Sequence, residues 1–433
     1  MARRVAVIGA GYAGLAAAVE LAAAGRAVDV FEASRTLGGR ARSVEIEGMT
    51  LDNGAHILVG AYRETLRLMC LVGADPQRTL RRHPLRLEYP GDLRIAAPSF
   101  AIPVPAPLHL AWALLLARGL SFAEKFAAIR FMRAIESQGF RLPQDMPAAQ
   151  LLAAHEQSER LRHYLWQPLC VAALNTEIEH ASAQVFLNVL RDSLAAERAA
   201  SDLLLPATDF SSLFPEPAAR FVEAHGGTLH RGLRVDTVQR GAKGYTLDAG
   251  GERGPYDEII IGVAPYHLPK LIAALPELAA LNETVHALVW EPIVTAYLAY
   301  PPAVRLPFPM IGVAQGCAQW LFDRGSLCGQ PGLLAAVISA HGRHEDLGND
   351  ALARRIHGEI ARVVPALPPP LWSRVIVEKR ATFACTPGMQ RPAMATALPG
   401  LWLAGDYVAG DYPATIEGAV RSGIAAAHAA LAH

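Results

Sequence analysis

The sequence predicts an α/β protein: a Rossmann-type nucleotide-binding domain, discontinuous along the chain, with an inserted mixed α+β, helix-rich domain. Three observations predict it. Residues 4–32, RVAVIGAGYAGLAAAVELAAAGRAVDVFE, read as strand, glycine turn, Ala-rich helix and second strand. Residues 400–431, GLWLAGDYVAGDYPATIEGAVRSGIAAAHAAL, return a strand, a turn and a long Ala-rich helix. Between them, HGGTLHRGLRVDTVQRGAKGYTLDAGG alternates around glycine turns and leads to an apolar strand over 259–263.

In the first element Gly9, Gly11 and Gly14 form GxGxxG, and Glu32 stands 18 residues beyond Gly14, where a βαβ unit places its ribose-binding acid. Gly9 permits the tight turn. Gly11 lets backbone approach a pyrophosphate at the helix N-terminus, flanked by Tyr12 and Ala13, and Gly14 allows helix to pack on strand. The apolar run after MARR is broken by glycines and has no cleavage-like site, so it reads as a buried first strand rather than a signal peptide.

With 433 residues, 52% of them hydrophobic, the chain is long enough for two or three subdomains with ample core. Forty basic and forty acidic residues cancel, which leaves no overall field for nucleic acid. The five cysteines Cys70, Cys170, Cys317, Cys328 and Cys385 are scattered, without a CxxC pair or a His cluster at ligand spacing. The expectation is a reducing, cytoplasmic setting and no metal site.

The motifs carry a family resemblance. GGRA, with Gly38, Gly39 and Arg40 soon after Glu32 and Ala33, resembles the second pyrophosphate contact of FAD enzymes related to amine oxidases and carotenoid desaturases. The turn with Gly405 and Asp406 resembles that superfamily's closing flavin motif. LDNGAHILVGAYRETLRLMCLVG, LWQPLCVAALNT and DYPATIEGAV together resemble the squalene-associated FAD-dependent desaturases, the hydroxysqualene dehydroxylase family, over nearly the whole chain and most loosely over 280–380. The resemblance implies FAD. It assigns Asp406 to the ribityl or pyrophosphate portion, Val235 to a backbone contact with adenine, and the helix begun near Thr415, with Ile416 and Ala419, to the N1/O2 side of the flavin. Asn53, Gly54 and His56 of the DNGAH segment join the same cofactor set, although Ala55 departs from the family pattern. The resulting division is 1–75, 205–268 and 385–433 for the FAD-binding domain, and 76–204 and 269–384 for the substrate domain.

The activity implied by the resemblance is reductive removal of the allylic hydroxyl of hydroxysqualene to give squalene, for hopanoid synthesis. A dry pocket, a proton and hydride from reduced flavin would suffice. Candidate proton donors are His56, Tyr62 and Asp411, each of which also has a structural reading. The rivals are a carotenoid desaturase, an amine oxidase and a non-catalytic flavin-bound prenyl carrier. Amine oxidases usually place an aromatic residue where Thr415 stands. No second nucleotide fingerprint names the electron donor.

Two stretches bear on a long isoprenoid substrate. In LWQPLCVAALNT, Pro168 favours a helix starting near it, so that Leu169, Ala172, Ala173 and Thr176 share one face. With Trp166 and Tyr412, Leu169 and Ala173 are expected to line the substrate pocket; ordinary core is the competing reading. Cys170 has no base or positive setting nearby to make it a nucleophile. After the proline-laced PSFAIPVPAPLH, residues 110–135 place apolar side chains at helical spacing beside Lys125, Arg130 and Arg133. Its uncharged apolar stretch is far short of the ~20 residues needed to span a bilayer. It reads either as an internal helix pair or as a peripheral contact with the cytoplasmic membrane face, with the basic residues at lipid head groups.

Overall fold

Glycine fixes the first turn of the chain. In the computed structural model, which describes residues 3–97 and 106–433, Gly9 has φ +101° and a Cβ there would lie 2.8 Å from the Gly262 carbonyl oxygen. A Cβ on Gly14 would run into the carbonyl of Gly9, so the helix Tyr12–Ala23 rests directly on the strand Arg4–Ile8. That strand and Ala27–Glu32 form the centre of a five-stranded parallel sheet. Its order is Thr228–Arg231, Ala27–Glu32, Arg4–Ile8, Glu258–Ile261 and Leu401–Leu403. Three separated stretches of chain thus supply one sheet. The predicted α/β class is the observed one.

The C-terminal helix Ile416–Ala432 lies against Tyr12–Ala23. They meet tightly at Gly423, where any Cβ would collide with the Ala13 carbonyl. Small residues on both helices let the backbones approach, and their alanines are buried in one core with Val5, Val7 and Ile260.

Beside this layer stands an antiparallel sheet ordered Met310–Gly312, Trp320–Asp323, Leu333–Ser339, Trp290–Ala299 and Trp372–Phe383. Helices from 108 to 201 complete the second half of the molecule. The two halves are tied by a buried ion pair: Arg324 donates to Asp52 at 3.0 Å, and Tyr297 donates its hydroxyl to the Asp52 carbonyl.

Two expectations change. The helix expected to start near Pro168 is already under way: Glu159–Leu161 runs through a π turn, Arg162–Trp166, into Gln167–Leu174. The π turn absorbs the hydrogen bond that Pro168 cannot make. The helix ends at Asn175, which is left-handed at φ +48° and donates to Pro292 O and Thr382 Oγ1 while accepting from Ala340 N.

The second change concerns the helix pair Leu108–Leu115 and Phe122–Ser137. Lys125 is buried and donates to the Leu115 carbonyl at 2.9 Å, capping the preceding helix, and Arg130 pairs with Glu156. Lys125 therefore cannot serve a head group. Residues 98–105 of the proline-laced stretch lie outside the described residues. Among the described residues, no helix is long and apolar enough to cross a membrane.

Candidate functional site

A cavity of about 860 Å³ runs between the two halves. Its nucleotide end is built at the C-terminal edge of the parallel sheet, where the ends of the strands leave room for a ligand. Gly9, Gly11, Tyr12, Ala13, Glu32, Ala33, Gly38, Gly39 and Val235 all line it. Gly14 does not, since it packs helix against strand. Both carboxylate oxygens of Glu32 accept backbone N–H groups, from Ala10 at 2.7 Å and Ser34 at 2.8 Å. That fixes the side chain at the strand end with lone pairs to spare for a ribose hydroxyl.

In the middle of the cavity Arg40 donates to Asp406 at 2.7 Å and to the Ala381 carbonyl at 2.5 Å. Burial works against the guanidinium charge, but the Asp406 carboxylate more than offsets it and holds Arg40 above its ordinary value. Asn53, Gly54, His56, Gly405 and Asp406 line the same region. Burial, with Arg40 adding to it, pushes the His56 imidazole down to about 4, so it is neutral at pH 7. Two buried polar atoms there lack partners among the described residues: His56 Nε2 and the hydroxyl of Tyr407. Tyr407 was absent from the sequence-derived set. Its only signal was adjacency to Gly405 and Asp406.

The far end is apolar. Leu169, Ala172 and Ala173 line it together with Leu85, Leu87, Phe186, Val189 and Trp320. The N-terminus of Ile416–Ala432 also lines the cavity, through Thr415, Ile416 and Ala419, and the Thr415 hydroxyl accepts from Gly418 N at 3.1 Å. Tyr62 lies here, hydrogen-bonded with Thr415 and kept in its neutral form by burial and then by Glu417. The fully buried Glu417, also missed in sequence, accepts from Glu64 N, Thr65 N and the Thr65 hydroxyl, and ties the two helix N-termini together.

Three residues fall outside the expected positions. Trp166 is 2% exposed, packs edge-on to Phe131 and donates to Gln157, so it is core and not cavity wall. Thr176 turns into the protein and accepts from Cys385 N. Asp411 has a side chain 73% exposed and does not line the cavity, which removes it as a proton donor. A different carboxylate does line it: Asp192, which accepts from the hydroxyl of Tyr412 at 2.7 Å and from Arg191 at 2.7 Å. Cys170 is buried, and burial followed by Cys385 raises its thiol well above the ordinary value, as expected of an inert core cysteine.

The residues present fit FAD. Gly11 has φ −75° and ψ 178°, open to any amino acid, yet a Cβ there would meet nothing nearer than Gly39 Cα at 3.9 Å. The protein's own packing does not require glycine at this point, and a ligand's close approach does. The glycine turn and helix N-terminus would hold the diphosphate, Glu32 the ribose, and the Arg40–Asp406 pair with the two unpartnered polar atoms, His56 Nε2 and the Tyr407 hydroxyl, the central polar portion.

The profile of flavin-containing amine oxidoreductases matches residues 12–431. Over 447 residues the chain is 32% identical to a hydroxysqualene dehydroxylase of Rhodopseudomonas palustris, covering 100% of this chain and 99% of that protein. It is 24% identical over 470 residues to the zeta-carotene desaturase of Solanum lycopersicum, covering 97% and 79%. Among solved structures, the cyclohexylamine oxidase of Brevibacterium oxydans shares the fold with a TM-score of 0.68 at 17% identity, covering 99% of each chain.

Proposed function

The chain belongs to the flavin-containing amine oxidoreductases and groups within them with the hydroxysqualene dehydroxylases, and from that premise we propose that this FAD-dependent oxidoreductase removes the allylic hydroxyl of hydroxysqualene to give squalene, a step toward hopanoids. The observation that carries the reading is the continuity of the cavity. One continuous cavity is lined both by the nucleotide-end residues and by a wall of leucine, valine, alanine and phenylalanine, with the helix N-terminus at Thr415 on the same lining. A small amine needs no such wall; an isoprenoid does.

When bound, reduced FAD would supply a hydride equivalent to the carbon together with the proton on which the hydroxyl leaves as water. The protein's own residues do the rest. Leu169, Ala172 and Ala173 keep water from the chain of the substrate, and the helix N-terminus at Thr415 carries partial positive charge that would favour negative charge on a group held there. The electron donor is a separate reductant.

A lipid surface is the source we propose for so insoluble a substrate. Leu108, Trp112, Leu115, Leu116, Phe122 and Phe126, each 39–73% exposed, gather on the helix pair. Its inner side is wired to the cavity wall, since His109 hydrogen-bonds Ser201 at 3.0 Å. The contact is carried by apolar side chains rather than by Lys125.

The test is anaerobic incubation of the chemically reduced enzyme with hydroxysqualene, following the flavin spectrum and the extracted lipid. Squalene together with oxidised flavin is expected. Flavin that stays reduced overturns the reading, and a desaturated polyene formed from a hydrocarbon by the oxidised enzyme supports the carotene desaturases instead.

A further inference from the structure

The wall of the cavity that follows the helix Ala183–Leu190 is apolar at Phe186, Val189, Leu190 and Leu194, yet it contains one ionised side chain, Asp192. Burial opposes that charge, but hydrogen bonds from Arg191 and Tyr412 hold the Asp192 carboxyl below the usual carboxylate range. A pure hydrocarbon offers nothing to such a group, and placing an ion beside it carries a desolvation cost.

Geometry decides what the pair can recognise. The Tyr412 hydroxyl donates its only hydrogen to Asp192 Oδ2 at 2.7 Å. Its oxygen then has lone pairs and no proton to offer, so toward the cavity it is an acceptor. The residue is held in this pose from three sides: Arg421 lies over the ring at 4.8 Å, Arg391 donates to its carbonyl at 2.8 Å, and Pro413 follows it into the Thr415 cap. Burial, and then the hydrogen bond to Asp192, raises the phenol further from ionisation.

We propose that Tyr412 Oη accepts the hydroxyl hydrogen of the substrate, and that Asp192 is the positioning residue that keeps this oxygen an acceptor. The proposal rests on the dehydroxylase reading and deepens it. It makes Tyr412 the group that separates an isoprenoid alcohol from the hydrocarbon it becomes: product formation deletes the bonding partner and favours release. It also places the alcohol three residues before the N-cap of the helix whose first turn reaches the cavity.

The experiment is equilibrium binding to the oxidised, FAD-loaded enzyme, which lacks the electrons to turn over, using hydroxysqualene and squalene in detergent and the flavin absorption band as reporter. The wild type should prefer the alcohol. Y412F should lower alcohol affinity roughly 10- to 100-fold, the usual loss for a hydrogen bond coupled to a charged group, and leave squalene affinity unchanged. D192A removes the acceptor, frees the phenol to turn and should reduce the alcohol preference about threefold or more, with flavin content and melting temperature as folding controls. Should Y412F fail to fold, D192A decides alone. A preference that survives in the folded variants overturns the proposal alone. A wild type with no preference and no oxidation of its reduced flavin by hydroxysqualene overturns the functional reading, and the proposal with it.

Discussion

Replacing Gly11 by alanine should separate what the fold needs from what the cofactor needs. With φ −75° and ψ 178° the backbone at Gly11 accepts alanine without strain, and the added Cβ would find only Gly39 Cα at 3.9 Å. The cofactor-free protein should therefore keep its stability or gain about 0.4–1 kcal/mol through a less flexible unfolded chain. Once FAD fills the cavity, the same methyl overpacks the site at a usual cost of roughly 1–3 kcal/mol. That is about a 5- to 150-fold loss of affinity. The assay is thermal or urea unfolding with and without FAD, alongside a fluorescence titration of FAD binding. At FAD about 100-fold above the wild-type Kd, ligand adds about 2.7 kcal/mol to the wild type but only about 0.4 kcal/mol to a variant bound 100-fold more weakly. Gly14→Ala is the counterpart: its Cβ strikes the Gly9 carbonyl, so it should destabilise the protein whether or not FAD is present. Wild-type FAD affinity in Gly11→Ala, or a loss of cofactor-free stability equal to that of Gly14→Ala, refutes the placement of the diphosphate over this turn.

Two further outcomes follow from the surface and from the buried imidazole. Replacing Trp112, Phe122 and Phe126 together by serine should weaken binding to neutral lipid vesicles by at least about 100-fold, since a buried side chain of this kind contributes about 1.5–3 kcal/mol, while turnover of detergent-solubilised substrate persists; unchanged vesicle co-sedimentation rejects the docking surface. His56, held down to about 4 against an ordinary 6.5, binds its proton later in the folded than in the unfolded chain. Its contribution is complete above pH 6.5 and is lost as pH falls toward 4, about 3 kcal/mol in all by the usual conversion. In cofactor-free His56→Asn the slope of stability against pH across that window should be shallower by up to one proton, and an identical slope would deny the burial of a neutral ring.

The nucleotide end was legible because its physics is local. Gly9, Gly14 and Glu32 act within one βαβ unit, where a left-handed turn, a close helix and a strand-end acid each demand a residue type at a fixed offset. The cofactor set of the resemblance also gathers on the cavity, apart from Gly14. The groups that were missed act across long separations. Glu417 caps a helix 352 residues earlier, and Asp192 meets Tyr412 across 220. No spacing rule connects such positions. Asp411 shows the error plainly: it stands beside the closing motif in sequence, but its side chain is exposed and comes within 4.0 Å of Arg191, the arginine that also holds Asp192.

Trp166 failed for a different reason, and that reason points to how the wall is made. The sequence placed Trp166 in the lead-in to a helix starting near Pro168 and on the pocket wall with Leu169 and Ala173. Leu169 and Ala173 face the cavity from the regular segment Gln167–Leu174, while Trp166, the last residue of the π turn Arg162–Trp166, packs on Phe131 in the core. A second π turn, Arg191–Ala195, follows Ala183–Leu190, and it is this turn that carries Asp192. Both irregular turns thus belong to helices that wall the same cavity, as π turns at functional sites often do. The extra residue in each turn re-aims the side chains without ending the helix. The expectation for Trp166 failed on the first of these turns, Asp192 on the second lay outside every stretch the sequence offered for the pocket, and hydrophobic spacing encodes neither irregularity.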